Sequence, residues 1–165
     1  MKSLILLLLV ITLSLVNSYA QNFLGKTKTQ VKTDILKTTD NIADRPSNGY
    51  DRFWWGNKKI DCYAYFNNKG LCFLEKTILN YSYGKAALEI YLNNPMYHTY
   101  LRQDGLNNGP HEFVDGKITA EVFTQENYFN GTEYHFYFYK SQDKTEVEKF
   151  FIQYYKDLKE WNKKP

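Results

Sequence analysis

The sequence predicts an α+β protein in which an antiparallel sheet packs helices on one face and ends with an amphipathic helix. Three observations favour this class. Runs with strand character follow one another instead of alternating strictly with helices, the last segment is apolar at helical spacing, and aromatic residues make up 18% of the chain. With 165 residues, the chain fits one domain or one compact pair of repeated units.

The composition excludes several classes of protein. The 21 basic and 18 acidic side chains give a net charge of +3, which is too even for a dedicated nucleic-acid binder. Two cysteines are too few for a disulfide-rich scaffold or a four-cysteine zinc site.

Residues 1–20 have the three-part pattern of a secretory signal peptide. Lys2 gives a positive start, Leu4 to Val16 is an apolar run, and Ser18 and Ala20 are small residues at the positions that precede cleavage. The run is too short for a spanning helix, which needs about 20 residues. We therefore expect a soluble mature domain over residues 21–165 that is exported to the periplasm or the extracellular space, with no stable membrane insertion.

The first part of the mature chain predicts a helix, a short strand and a hairpin. Thr27 and Gln30 have the spacing of a capping box and predict a helix over 27–38. The Asn-, Pro- and Gly-rich segment 40–49 predicts a loop, and 53–55 a short strand. Two strands, 60–66 and 71–78, flank a turn at 67–70 in which Gly70 takes a left-handed conformation.

The turn also predicts the register of this hairpin. We expect Phe66 to lie opposite Cys72, and Tyr65 opposite Phe73. This pairing places Cys62, Ala64, Leu74 and Ile78 on one face, and Tyr63 and Glu75 on the other.

The second part of the chain predicts a similar plan. A helix over 83–92, a strand over 96–101, a loop over 103–116 and strands over 117–124 and 133–140 follow in order. Asn130 and Gly131 predict a turn between the last two strands. The units 23–79 and 80–140 are thus candidates for a tandem helix-plus-strands repeat.

The closing helix, predicted over 143–162, is the clearest element. Its apolar side chains lie within an arc of about 140°, and only Ile152 falls outside it. A stripe this wide is typical of packing on a sheet. The residues of the arc are Val147, Phe150, Phe151, Tyr154, Tyr155, Leu158 and Trp161.

The segment from Phe23 to Val31 resembles the opening of the β-lactamase-inhibitor-protein-like fold, which also occurs in accessory lipoproteins of outer-membrane assembly. The strand from Ile60 to Gly70 is similar to the hairpin that follows in that fold, and the doubled plan is similar to its tandem form. This chain lacks the lipid-attachment cysteine and adds the closing helix. The resemblance implies an exported scaffold that binds proteins, and it assigns no functional residue.

Motifs of catalysis are missing from the sequence. No P-loop, G-x-G-x-x-G or G-x-S-x-G pattern occurs, and His98, His111 and His135 have no metal-ligand spacing. We therefore assign no catalytic residue, metal or cofactor. His98 and His135 are interpreted as sheet histidines, while His111 lies in a loop near carboxylates and leaves a small secreted hydrolase open.

Four further residues raise questions of covalent state. Cys62 and Cys72 would lie about 13 Å apart in the predicted register, at about 3.3 Å per residue. A disulfide needs less than about 7 Å, so we favour two buried thiols although export favours oxidation. Asn80 and Asn130 fit the N-glycosylation pattern.

The aromatic excess is the one feature that indicates a function. If the tyrosine face of the sheet is uncovered, its rings suit a protein or glycan partner; if helices cover it, it forms a second core. We predict a non-enzymatic binding protein, with a small secreted hydrolase and a small-ligand carrier with a cavity under the closing helix as alternatives. The predicted contact residues are Trp54, Trp55, Tyr63, Tyr65, Tyr137 and Tyr139.

Overall fold

The structure, a computed structural model, describes residues 23–47, 49–57, 60–93, 98–101, 111–115, 118–127 and 131–161. The predicted signal peptide and the turn residue Asn130 lie outside these residues. The helices are α1 (Lys28–Leu36), α2 (Tyr81–Asn93) and α3 (Lys144–Trp161), the last preceded by a 3-10 turn, Ser141–Asp143. The strands are β1 (Ile42–Asp44), β2 (Asp51–Gly56), β3 (Ile60–Phe66), β4 (Cys72–Asn80), β5 (His98–Leu101), β6 (His111–Asp115), β7 (Ile118–Asn127) and β8 (Gly131–Lys140).

The strands of the described chain form one antiparallel sheet with the order β1-β2-β3-β4-β8-β7-β6-β5. The chain forms a helix and then a four-stranded meander twice, and the last strands of the two meanders, β4 and β8, pair at the centre. This architecture confirms the predicted α+β class with an antiparallel sheet.

Several helices and turns form at the local sequence signals that predicted them. Thr27 and Gln30 form both bonds of the capping box at the start of α1. Gly70 has a φ of 71°, a conformation that glycine adopts without strain. The side-chain oxygen of Asn67 accepts from the backbone N–H groups of Lys69 and Leu71 at 3.0 and 3.1 Å, which holds the predicted turn closed.

Two strands lie where loops were predicted, and those predictions are wrong. β1 lies within 40–49, and β6 lies within 103–116. Both are short strands near the edges of the sheet. Their pairing depends on a neighbour that offers unpaired backbone groups, a tertiary effect that overrides weak local propensity.

A β-bulge corrects the predicted hairpin register. Phe66 does lie opposite Cys72, but Tyr65 lies opposite Leu74, because the register shifts by one residue between Tyr65 and Phe66. A shift of one residue exchanges the two faces of a strand. Beyond the bulge, the face assignments predicted for β4 are therefore reversed.

One face of the sheet packs against α1 and α2. Val31 and Ile35 of α1 and Ala87 of α2 are buried there against a continuous apolar layer. The buried strand residues of this layer include Phe53, Trp55, Ala64, Phe66, Cys72, Leu79, Ala120, Val122, Phe136 and Phe138.

The bulge brings Glu75 into this layer, where it is 1% exposed. Its Oε1 accepts from the backbone N–H groups of Phe23 and Leu24, both at 3.1 Å. Burial raises the pKa of Glu75 well above its usual value, although these two donors act to lower it. The carboxyl group thus fixes the first described residues of the chain to the core.

The other face packs against α3, which differs from the expectation that the helices share one face. Val147 and Phe150 of α3 are buried against this second layer. Its strand residues are Tyr65, Phe73, Leu74, Tyr137 and Tyr139. The sheet therefore separates two cores, and the tyrosines belong to the second.

Candidate functional site

The structure places four of the six predicted contact residues in the interior. Trp55 is 6% exposed in the core on the α1 side of the sheet, and Tyr65, Tyr137 and Tyr139 are at most 2% exposed in the core on the α3 side. The prediction that these four rings form an open contact surface is wrong. The reason is that an aromatic helix stripe needs an apolar surface to cover, and the tyrosine face provides it.

Trp54 and Tyr63 remain half-buried and lie side by side. They are cross-strand partners on β2 and β3. Both project on the α3 side of the sheet, where Tyr63 packs against the second core. The accessible part of the predicted surface is therefore reduced to this pair and the side chains around it.

Two arginine side chains lie over these rings. The guanidinium carbon of Arg45 lies 5.2 Å from the Trp54 ring centre, and that of Arg52 lies 5.0 Å from the Tyr63 ring centre. Both distances are within the range of cation–π attraction. We call Arg45, Trp54, Tyr63 and Arg52 the ladder.

Hydrogen bonds hold the ladder in position. The Arg52 Nε–H donates to the carbonyl oxygen of Arg45 at 2.7 Å, and the Trp54 Nε1–H donates to Asp61 Oδ1 at 2.9 Å. Arg45 is an exposed residue. Its planar guanidinium has N–H donors in a fixed fork, which suits bidentate recognition of a carboxylate.

Below the ladder, three tyrosine rings enclose the ammonium group of Lys76. The Nζ atom lies 5.7 Å from the ring centre of Tyr63, 5.1 Å from that of Tyr137 and 5.4 Å from that of Tyr154. Lys76 is 6% exposed. Burial, together with the charge of Arg52, lowers its pKa to about 8. We call the three rings the tyrosine cage.

His135, which lies near Lys76, is neutral at physiological pH. It is 5% exposed, and its Nε2 lies 3.6 Å from Glu133 Oε2. Burial and the charge of Lys76 lower its pKa to about 4, although Glu133 acts to raise it. His135 thus fits the prediction of a sheet histidine.

The other residues that the sequence analysis considered for chemistry or modification are two histidines, two cysteines and Asn80. His98 and His111 lie on β5 and β6, and their side chains are outside the described part of the structure. Cys62 and Cys72 are free cysteines, not joined in a disulfide, and burial raises the pKa of Cys62 to about 12. Asn80 caps α2, because its Oδ1 accepts from the backbone N–H of Tyr83 at 3.3 Å.

The described residues contain no group of three or more metal-ligating side chains. Within the same ranges, no helix is both long enough and apolar enough to cross a membrane.

Sequence reasoning missed Arg45, Arg52 and Lys76. Arg45 lies in a segment predicted to be a loop, and its contact with Trp54 depends on the pairing of β1 with β2. Lys76 reaches the tyrosine cage only because the bulge reverses the faces of β4. The alternation of Tyr63 and Tyr65 and the adjacent pair Trp54 and Trp55 were the signals in the sequence that pointed to this region.

The fold and the ladder define an aromatic-rich α+β protein with a cationic, partly exposed patch on its sheet. Comparisons of the chain with models of protein families, with curated proteins and with solved structures each gave no significant match.

Proposed function

We propose that this protein is an exported, non-enzymatic binding protein that recognises an acidic segment of a partner protein through the ladder. The observation that carries the proposal is the position of the guanidinium of Arg45, an exposed residue, over the half-buried Trp54 ring. Arg, Trp and Tyr are the residues most enriched among those that dominate protein–protein binding energy. The export part of the proposal rests on the signal-peptide pattern of residues 1–20.

The charge of the ladder favours an acidic partner. It contains two arginines, and Lys76 adds a third cation beneath Tyr63. Asp61 is the acidic side chain that bonds the ladder directly, through Trp54. A carboxylate from a partner would gain a charge-assisted bond to Arg45 and contact with the adjacent ring.

Binding of model ligands to the immobilised protein tests this proposal. We expect polyglutamate to bind with an affinity that falls as salt increases, because exposed charges are screened. A heparin-derived oligosaccharide and a neutral glucan test for a glycan partner instead.

Arg45→Glu is the most informative variant, since the side chain is exposed and its replacement leaves the core intact. We expect a loss of at least tenfold in polyglutamate affinity, and a similar loss in Trp54→Ala. Leu36→Ser, which changes an exposed apolar residue of α1 on the other face, is the matched control. Absence of binding, or equal binding by Arg45→Glu, would contradict the proposal, and tighter binding of the oligosaccharide would replace the protein partner by a glycan.

A further inference from the structure

The outward side of α3 has an apolar side chain that the sheet does not cover. Ile152 is 71% exposed, the highest value among the large apolar side chains of the described residues. It lies outside the apolar arc of the helix, so packing of α3 on the sheet does not account for it. Tyr155, one turn further along, is 45% exposed and borders a groove of about 330 Å³ between α3 and the sheet. Exposed apolar side chains that lie together in this way are typical of a contact surface.

Two opposite charges flank Ile152 at equal distances along the helix. Glu148 lies four residues before it and Lys156 four residues after it, so the three side chains form one row on the surface of α3. Both charged residues are exposed, and neither has an ion-pair partner among the described residues. The row is therefore acidic at one end, apolar in the middle and basic at the other end.

A row with this order of charges is complementary to its own copy in the reverse direction. When two copies of α3 pack antiparallel about a two-fold axis at Ile152, Ile152 faces its own copy and Glu148 faces Lys156 of the second copy. Helices that align such rows cross at about 50°. A parallel arrangement would place like charges together, which is unfavourable across an interface. A patch that contacts its own copy in this way is the usual form of a two-fold homodimer.

We propose that this protein forms an antiparallel homodimer through the row Glu148, Ile152 and Lys156 of α3. The helix has 18 residues and is about 27 Å long at about 1.5 Å per residue. One face of such a helix buries less than the area of about 800 Å² per partner that is typical of a stable complex. The dimer is therefore weak, and it weakens further as salt increases, because exposed charges are screened. The row shares no residue with the ladder, so its test is independent of the proposed function.

Sedimentation velocity of the mature chain at increasing concentrations, up to about 1 mM, tests the proposal. We expect reversible dimerisation that salt weakens. Ile152→Ser is expected to weaken the dimer by about tenfold, because it removes apolar contact from both copies. Lys32→Glu, at an exposed position of α1 on the other face of the sheet, is the control and is expected to leave the dimer unchanged. A chain that stays monomeric at the highest concentration, or a dimer that Ile152→Ser leaves intact, overturns the proposal.

Charge reversal tests the antiparallel orientation. Glu148→Lys and Lys156→Glu each place like charges across the two-fold axis, so each variant alone is expected to dimerise more weakly than the unchanged protein. The rows of the two variants are complementary to each other, and we expect their mixture to form a heterodimer with nearly the affinity of the unchanged protein. Both positions are exposed, so the changes leave the core intact. A mixture that associates no more strongly than either variant alone contradicts this interface.

Discussion

The ammonium group of Lys76 lies 5.1 Å from the centre of the Tyr137 ring, in the interior between the sheet and α3. A lysine with its pKa lowered to about 8 is less stable in its charged form in the folded protein than in the unfolded chain. The unfolded chain therefore binds more protons between pH 8 and the usual lysine pKa of 10.5. The contribution of Lys76 to stability rises with pH over this window.

Lys76→Met tests this linkage. The variant keeps the length of the side chain and removes its charge. We therefore expect the stability of the unchanged protein relative to the variant to rise by about 2 kcal/mol between pH 7 and pH 10. Urea unfolding of both proteins at these two pH values measures the difference. The raised pKa values of Cys62 and Tyr63, both about 12, reduce the stability of both proteins at alkaline pH and cancel in this comparison. A difference that is the same at the two pH values would contradict the lowered pKa of Lys76.

The raised pKa of Glu75 predicts that stability depends on pH with the opposite sign. Its pKa is raised in the folded protein, so its contribution to stability falls as the pH rises above the usual value of 4.5. Glu75→Gln keeps an acceptor for the N–H groups of Phe23 and Leu24 and does not ionise. We expect the variant to gain stability relative to the unchanged protein between pH 4 and pH 7, as measured by urea unfolding.

Glu75→Leu is the matched comparison for this prediction. It removes the acceptor and leaves two buried N–H groups unpaired, at a cost of about 1–3 kcal/mol for each. If the Glu75→Gln and Glu75→Leu variants proved equally stable at pH 7, the two backbone hydrogen bonds would not anchor the chain as described.

Gly84 allows α2 to lie close to β8. A Cβ atom at this position would lie 2.5 Å from the Cβ of Tyr134. Helix propensity alone predicts that Gly84→Ala stabilises by about 1 kcal/mol, whereas overpacking costs about 1–3 kcal/mol. Because backbone and a buried ring meet here, we expect a net loss in thermal unfolding.

Ser82→Ala, at an exposed position of the same helix, provides the control, and we expect its stability to be unchanged or slightly higher. A stabilised Gly84→Ala would show that α2 moves away from β8 at little cost.

The burial of both cysteines predicts that their thiols react slowly with thiol reagents. Cys72 is 1% exposed, and burial raises the pKa of both thiols, while the thiolate is the reactive form. In the native protein we expect both to react with Ellman's reagent far more slowly than after denaturation. A mass that rises by two hydrogens only after reduction would instead reveal a disulfide.

The sequence contains the information for the helices and for the central strands, because caps, turns and apolar spacing are local signals. No local signal predicts the bulge next to Phe66, which exchanges the faces on which Glu75 and Lys76 lie. The sequence also does not say which face α3 covers, since both faces of β3 and β8 have aromatic residues. Of the predicted contact residues, Trp54 and Tyr63 are therefore partly accessible. The others are buried: Trp55, Tyr65, Tyr137 and Tyr139.

Hydroxyl-radical footprinting of the free protein, with oxidation quantified residue by residue, tests the central claim most directly. The claim is that α3 covers the tyrosine face and leaves Trp54 as the accessible ring beside Arg45. We expect Trp54 to be oxidised much faster than the adjacent Trp55, and Tyr63 faster than Tyr65, Tyr137 and Tyr139. Oxidation of Tyr65, Tyr137 and Tyr139 at a rate equal to that of Trp54 would contradict the account, because the sheet face would then be open.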